Sequence, residues 1–207
     1  MFVQAHTISY TRLSTGFERL DKLLGGGLDP VLTMFNGCKK TVVKLGHYIA
    51  VSALSSQRKV YYVCCDNGFD PYLIGKISEW AGLDASDMLS RIFIARAFNK
   101  YQFRDIIGRE LECDLIILES PFTVDREAWR LIPKMSDSTP IVVLNHTGTY
   151  THRYDSLPGV VVQVKSLSGD LCEASLIKHP SMPESFTVFS FSSFMTREKH
   201  FIIPDYW

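Results

Sequence analysis

Charge of one sign is the first thing this sequence lacks. Its 22 basic and 22 acidic side chains cancel, so no net field draws the chain to nucleic acid or to a membrane. Long apolar runs are missing too, and the N-terminus has neither the basic nor the apolar stretch of a secretory leader. Both absences predict a soluble, cytoplasmic chain with no membrane partner. Cysteines are few and poorly spaced for ligation. Cys38, Cys64, Cys65, Cys113 and Cys172 make no CxxC pair and no metal pattern, and their odd count predicts reduced thiols rather than a disulfide framework. Neither a metal nor a cofactor is called for. What the chain does have is apolar substance: 46% hydrophobic residues over 207 positions predict one domain with a sizeable core. The charges are unevenly placed, with eight Lys/Arg against three Asp/Glu in residues 1–59 and eight against twelve in residues 60–130. A basic first third is either a contact surface or a set of solvated helix faces.

Along the chain, Thr15 and Glu18 form a capping-box pattern ahead of Phe17, Leu20, Leu23 and Leu24 at helical spacing, and Gly25-Gly26-Gly27 ends that helix. A strand over Val31–Phe35 precedes a helix over Lys44–Leu54, and Val60–Cys64 reads as a buried parallel strand. Asp70-Pro71 opens a helix that carries Ile74, Ile77 and Trp80 and stops at Gly82. A short helix at Ser86–Leu89 leads to strand Ile92–Ala95. A helix over Tyr101–Leu111 leads to strand Leu115–Leu118, and one over Arg126–Met135 to strand Ile141–Leu144. Such alternation predicts an α/β fold, a mostly parallel sheet with helices on both faces. After His146 the pattern changes. Val160–Val164 and Cys172–Ile177 flank the turn Ser168-Gly169-Asp170, and Phe186–Phe191 follows, so an antiparallel extension of one sheet edge is expected.

Glycine is scarce where a phosphate would need it. Between the first strand and its helix the chain reads Phe35-Asn36-Gly37-Cys38-Lys39-Lys40-Thr41-Val42-Val43. A phosphate-binding loop at that place needs glycines to turn backbone N–H groups inward, a Lys for the β/γ-phosphates and a Thr or Ser for Mg²⁺. The outline is present and the chemistry is not.

Several strings, in order, resemble the ATPase core of the RecA/RadA recombinase superfamily, closest to its RadA/RadB-type branch. They are Leu13-Ser14-Thr15-Gly16-Phe17-Glu18-Arg19-Leu20-Asp21-Lys22-Leu23-Leu24-Gly25-Gly26-Gly27, Lys44-Leu45-Gly46-His47-Tyr48-Ile49-Ala50-Val51, and Gly82-Leu83-Asp84 with Ile94-Ala95-Arg96-Ala97-Phe98-Asn99. Pro180-Ser181-Met182-Pro183-Glu184 comes last. The resemblance implies a RecA-like core over residues 13–207 behind an N-terminal arm, residues 1–12. Aligned without gaps, it puts Val42 and Val43 where the family has its P-loop Lys and Thr, and Lys39, Lys40 and Thr41 where it has Gly-Ser-Gly. A rival register makes Lys40-Thr41 the functional pair but leaves the loop two residues short. The resemblance also matches the family's catalytic glutamate to Asp66, its Walker B aspartate to Glu119 and its γ-phosphate-sensing Gln to His146. Nucleotide binding is therefore not expected at Asn36, Lys39, Lys40, Thr41, Val42, Val43, Asp66, Glu119 or His146, no catalytic residue is assigned, and no cofactor is expected.

Two further expectations follow from the resemblance. The family's two DNA-binding loops match segments here that are cut down, Glu119–Pro140 to about half its usual length and Asn145–Gly159 to a remnant, Tyr150-Thr151-His152-Arg153-Tyr154. Phe2-Val3-Gln4-Ala5 fits the F-x-x-A docking motif that adds as a strand to a neighbouring core. The chain is thus expected to be a non-catalytic paralog acting through a recombinase or a related paralog in recombination or repair. Phe2 and Ala5 are its docking residues, and homo-oligomerisation is left open. Two alternatives stand beside this: an ATP-independent DNA-binding protein using Lys39, Lys40, Lys44 and Arg153, or a residual ATPase using Lys40-Thr41. The apolar C-terminus, Phe201-Ile202-Ile203-Pro204-Asp205-Tyr206-Trp207, either folds back on the core or meets a partner.

Overall fold

A computed structural model of the chain describes residues 12–135, 138–146 and 159–195. The Phe2/Ala5 motif, Arg153 and the C-terminal apolar segment lie outside the described residues. In chain order the elements are α1 (Glu18–Leu23), β1 (Leu32–Gly37), α2 (Lys39–Ser55), β2 (Val60–Cys64), α3 (Pro71–Trp80), α4 (Ala85–Ser90) and β3 (Ile92–Arg96). There follow α5 (Lys100–Ile107), β4 (Leu115–Glu119), α6 (Pro121–Val124), β5 (Ile141–Asn145), β6 (Val160–Ser166), β7 (Leu171–Lys178) and β8 (Ser185–Ser190).

The strands form one sheet in the order β3-β2-β4-β5-β1-β6-β7-β8. Every pairing from β3 to β6 is parallel. The pairs β6/β7 and β7/β8 are antiparallel, as the Ser168-Gly169-Asp170 turn predicts, and Gly169 takes the left-handed φ of 58° that the turn requires. Central strands β4 and β5 are buried at every position, as expected of parallel strands covered on both faces. One face packs on α1, α2 and α3 through a cluster that includes Leu45, Ile49, Tyr62, Ile74 and Phe189. The other packs on α5 and the segment after β4, through Met34, Phe103, Ile116, Leu118 and Ile132.

Local chemistry accounts for most boundaries. Asp70 caps α3 by accepting from the amides of Tyr72 and Leu73, with Pro71 in the first turn, and Gly82 closes the helix at φ 73°. Three expectations need correction. No capping box forms at Thr15 and Glu18. The Asp21 carboxylate instead takes the Thr15 amide at 2.8 Å and its hydroxyl at 2.6 Å, leaving Phe17 as the N-cap of α1 without a side-chain cap. The helix expected over Arg126–Met135 is broken into two short 3-10 turns, Ala128–Arg130 and Ile132–Lys134, because Pro133 cannot donate within a continuous α-helix. The largest departure is at the site: α2 starts at Lys39 rather than Lys44.

Candidate functional site: the former phosphate loop

Only Cys38 separates β1 from α2. Lys39, Lys40 and Thr41 stand where a phosphate loop would need flexible residues; the two lysines are good helix formers, and with Val42 and Val43 buried behind them the helix runs back almost to the strand. There is no chain left to wrap an anion. The Cys38 thiol and Thr41 hydroxyl meet at 2.8 Å and satisfy each other across the first turn. Val42 is fully buried, and Val43 nearly so at 8% exposure. Gly37 is walled in, since a Cβ there would lie 2.4 Å from the Val164 carbonyl oxygen and 3.1 Å from Val42 Cγ1.

Opposite this helix start, the acidic positions are engaged internally. Glu119, at the carboxyl end of β4, has no exposed surface. Its carboxylate accepts from the Cys64 thiol at 2.9 Å and from the Gly68 amide at 2.8 Å. Burial pushes the Glu119 carboxyl above its ordinary range, and those two bonds only partly offset the shift. Gly68 sits on it so closely that a Cβ would fall 2.3 Å from Glu119 Oε1. The loop after β2 therefore covers the Glu119 carboxylate with protein atoms. The next residue, Ser120, bends the chain through a left-handed conformation, φ 53° and ψ 44°, before Pro121 opens α6.

Asp66 is the hub of a second group. Lys39 Nζ donates to its carboxylate at 2.7 Å and to its carbonyl at 2.9 Å, while His146 Nε2 lies 2.7 Å from the same carboxylate oxygen. Burial raises the Asp66 carboxyl, but the Lys39 ammonium and His146 outweigh it, and the group sits below the usual carboxylate range. The positions matched to the P-loop and the catalytic carboxylate are thus tied directly, and the one matched to the sensor lies against the same carboxylate. Lys44 turns away from them, to Asp170 at 2.9 Å, with its ammonium 4.1 Å above the Phe191 ring. Lys40 is exposed and has no acidic partner among the described residues. Of three lysines expected to make a basic groove, two are already neutralised. The adjoining cleft, about 460 Å³, runs between the first turns of α2 and α3, with Val43 and Leu73 on its floor and Lys39, Lys40 and Lys44 at its rim.

Some of what holds the site together had no motif to announce it. Asn145 Nδ2 donates to Asn36 Oδ1 at 3.0 Å, and Asn36 Nδ2 donates to Gln163 Oε1 at 3.1 Å, an amide ladder across the carboxyl ends of β5, β1 and β6. The only sequence signal was an Asn closing each of two apolar strands. His47, fully buried, contacts the Val43 carbonyl through Nδ1 at 2.7 Å and accepts the Asp70 amide at Nε2 at 2.8 Å. Cys65 is half-buried, and its thiol is pushed up to about 12 by burial and by the neighbouring Glu119, which removes it from thiolate chemistry. Among the described residues no cluster of His, Cys, Asp and Glu could hold a metal ion, and no helix is long and apolar enough to cross a membrane.

A mostly parallel sheet with helices on both faces, an antiparallel C-terminal edge and a strand–loop–helix junction at its centre make this a RecA-like α/β core. The chain belongs to the Rad51 family, whose pattern residues 7–123 match. Over 109 residues it is 33% identical to a meiotic recombination protein DMC1 homolog A of Oryza sativa subsp. japonica, covering 48% of this chain and 32% of that protein. Over 100 residues it is 37% identical to the DNA repair and recombination protein RadB of Thermococcus kodakarensis, covering 46% and 43%. A longer alignment, 206 residues at 25% identity, relates it to a DNA repair protein Rad51 homolog of Drosophila melanogaster, covering 82% of this chain and 61% of that protein. The chain thus spans about a third of the length of the first of these relatives. All three carry names in recombination or repair.

Proposed function

We propose that this protein is a non-catalytic paralog of the recombinases, acting by contact with a recombinase or another paralog in homologous recombination or DNA repair. In this reading it neither retains Mg-ATP nor hydrolyses it. The observation that carries the proposal is the burial of Val42 in a helix that begins at Lys39. A triphosphate needs inward-facing amides and a cation at that point, and a sealed valine supplies neither. Glu119, capped by Cys64 and Gly68, offers no open oxygen for Mg²⁺. The process is taken from the family and the relatives, and the loss of catalysis from the geometry.

The DNA-binding alternative is weaker because Lys39 and Lys44 already face Asp66 and Asp170. Docking through Phe2 and Ala5 remains the route to a partner in this reading. Titration calorimetry with Mg-ATP tests the core of it: no saturable heat is expected from the wild type. Micromolar binding that disappears in Lys40→Ala would restore the residual-ATPase reading.

A further inference from the structure

Asparagine occurs only at positions 36, 67, 99 and 145, yet two of the four stand before glycine, as Asn36-Gly37 and Asn67-Gly68. An Asn-Gly pair is chemically labile, because the glycine amide nitrogen can attack the asparagine side-chain carbonyl with no side chain of its own to hinder the approach. The fold treats the two pairs in opposite ways. Asn36 is buried in β1 between β5 and β6, its side-chain amide held by Asn145 and Gln163. Gly37 is pressed against the neighbouring strand, where a Cβ would fall 2.4 Å from the Val164 carbonyl oxygen. That pair has no freedom to turn.

Asn67 lies in the loop between β2 and α3, exposed, in the left-handed conformation at φ 53°. Asparagine is among the few residues that tolerate that region. Its side chain makes no hydrogen bond to the described residues. One bond restrains the attacking nitrogen: the Gly68 amide donates to Glu119 Oε1 at 2.8 Å. Releasing that bond frees the peptide plane to rotate toward the Asn67 side chain. Such a release asks a loop to open and leaves the sheet intact.

We infer that Asn67 is this chain's site of spontaneous deamidation, and that the reaction strips the cover from Glu119. The Gly68 nitrogen gives up its proton and bonds to Asn67 Cγ, while the Cγ–Nδ2 bond breaks and ammonia leaves with that proton. The cyclic imide takes up one water at either carbonyl, leaving aspartate or isoaspartate at position 67. The net exchange is water for ammonia, with no oxidant, reductant or metal, and it adds one negative charge. That charge arrives between Asp66 and the Gly68 amide that caps Glu119. In the isoaspartyl product the backbone runs through the former side chain and gains one carbon. The Gly68 amide then loses its register with Glu119 Oε1 while Asp66 stays on Lys39. The inference goes beyond the interaction-module reading and does not depend on the loss of nucleotide binding.

Ageing the full chain in mildly alkaline buffer tests it, with peptide mass spectrometry that separates aspartyl from isoaspartyl products. In the native chain Asn67 is expected to convert at least about a hundredfold faster than Asn36, which must wait for global unfolding. In urea, where the fold protects neither pair, the two should convert within about threefold of each other. Glu119→Gln should speed Asn67 about tenfold, the scale of trading a charged acceptor for a neutral one, and leave Asn36 unchanged. Molecules carrying isoaspartate at 67 should exchange the amides of residues 66–70 faster than fresh ones. Equal native rates at the two pairs, or earlier conversion at Asn99 or Asn145, would overturn the site. A rate at Asn67 that ignores Glu119→Gln, or rises only in step with Asn36, would remove the restraint assigned to Glu119. Unchanged exchange in the isoaspartyl form would contradict the loss of the cover.

Discussion

His47 joins two helices through both ring nitrogens, toward Val43 within α2 and toward the Asp70 amide that opens α3. Only the neutral ring can accept that amide. Burial lowers the imidazole below its ordinary 6.5, and the Val43 bond and the Asp70 charge only partly oppose the shift. A native group that resists protonation while the unfolded chain accepts it contributes stability above the unfolded value. That stability is lost as the pH falls from about 6.5 toward the lower native value. The urea midpoint should therefore drop between pH 7.5 and pH 5.5, and the drop should shrink in His47→Leu. An equal drop in both proteins would remove His47 as its cause. At this scale the sequence was uneven to read. The valines in place of Lys and Thr were legible because side-chain chemistry alone excludes phosphate. The partners of Glu119 and Asp66 were not, because Cys64, Gly68 and Lys39 meet them only after the loop after β2 closes on α2.

Elements announced by capping and turn chemistry were the legible ones: α3, between Asp70-Pro71 and Gly82, and the β6–β7 hairpin at Gly169. Boundaries that rest on what a segment packs against were not. The early start of α2 follows from the burial of Val42 and Val43, a tertiary fact that overrides the expectation of a loop. At Pro133 a visible helix breaker competes with the apolar spacing around it, and the breaker wins. The loop after β2 earns a direct test. Ala at position 68 would push a methyl into Glu119 Oε1, at 2.3 Å, and toward Val43 Cγ1, at 3.0 Å. Gly68→Ala should cost about 1–3 kcal/mol, the usual toll of overpacking, measured by chemical denaturation at pH 7. Unchanged stability would mean that the loop does not hold the carboxylate as tightly as its hydrogen bonds indicate.

For the molecule as a whole, the sheet formed by the described residues ends in two edge strands. On β3, Phe93 and Ile94 point to opposite faces and both stay nearly half exposed. An unpaired, apolar edge is a template for strand addition, the mode by which a Phe2-Val3-Gln4-Ala5 arm would dock. A pull-down from the source cell should recover a recombinase with the wild type and lose it with Phe2→Ala. Recovery of unrelated metabolic proteins would remove the repair assignment. In gel shifts at two salt concentrations no complex with single-stranded DNA is expected. A shift that weakens with salt would instead favour phosphate contacts by the lysines. The extra turn at the head of α2 also bears on any attempt to rebuild the site. Putting Lys and Thr back at 42 and 43 would bury a charge where none fits, while the helix would still occupy the room of the missing loop. Substitution at 42 and 43 alone would therefore leave the junction as closed as it is now, because the obstruction is the backbone of the helix and not two side chains.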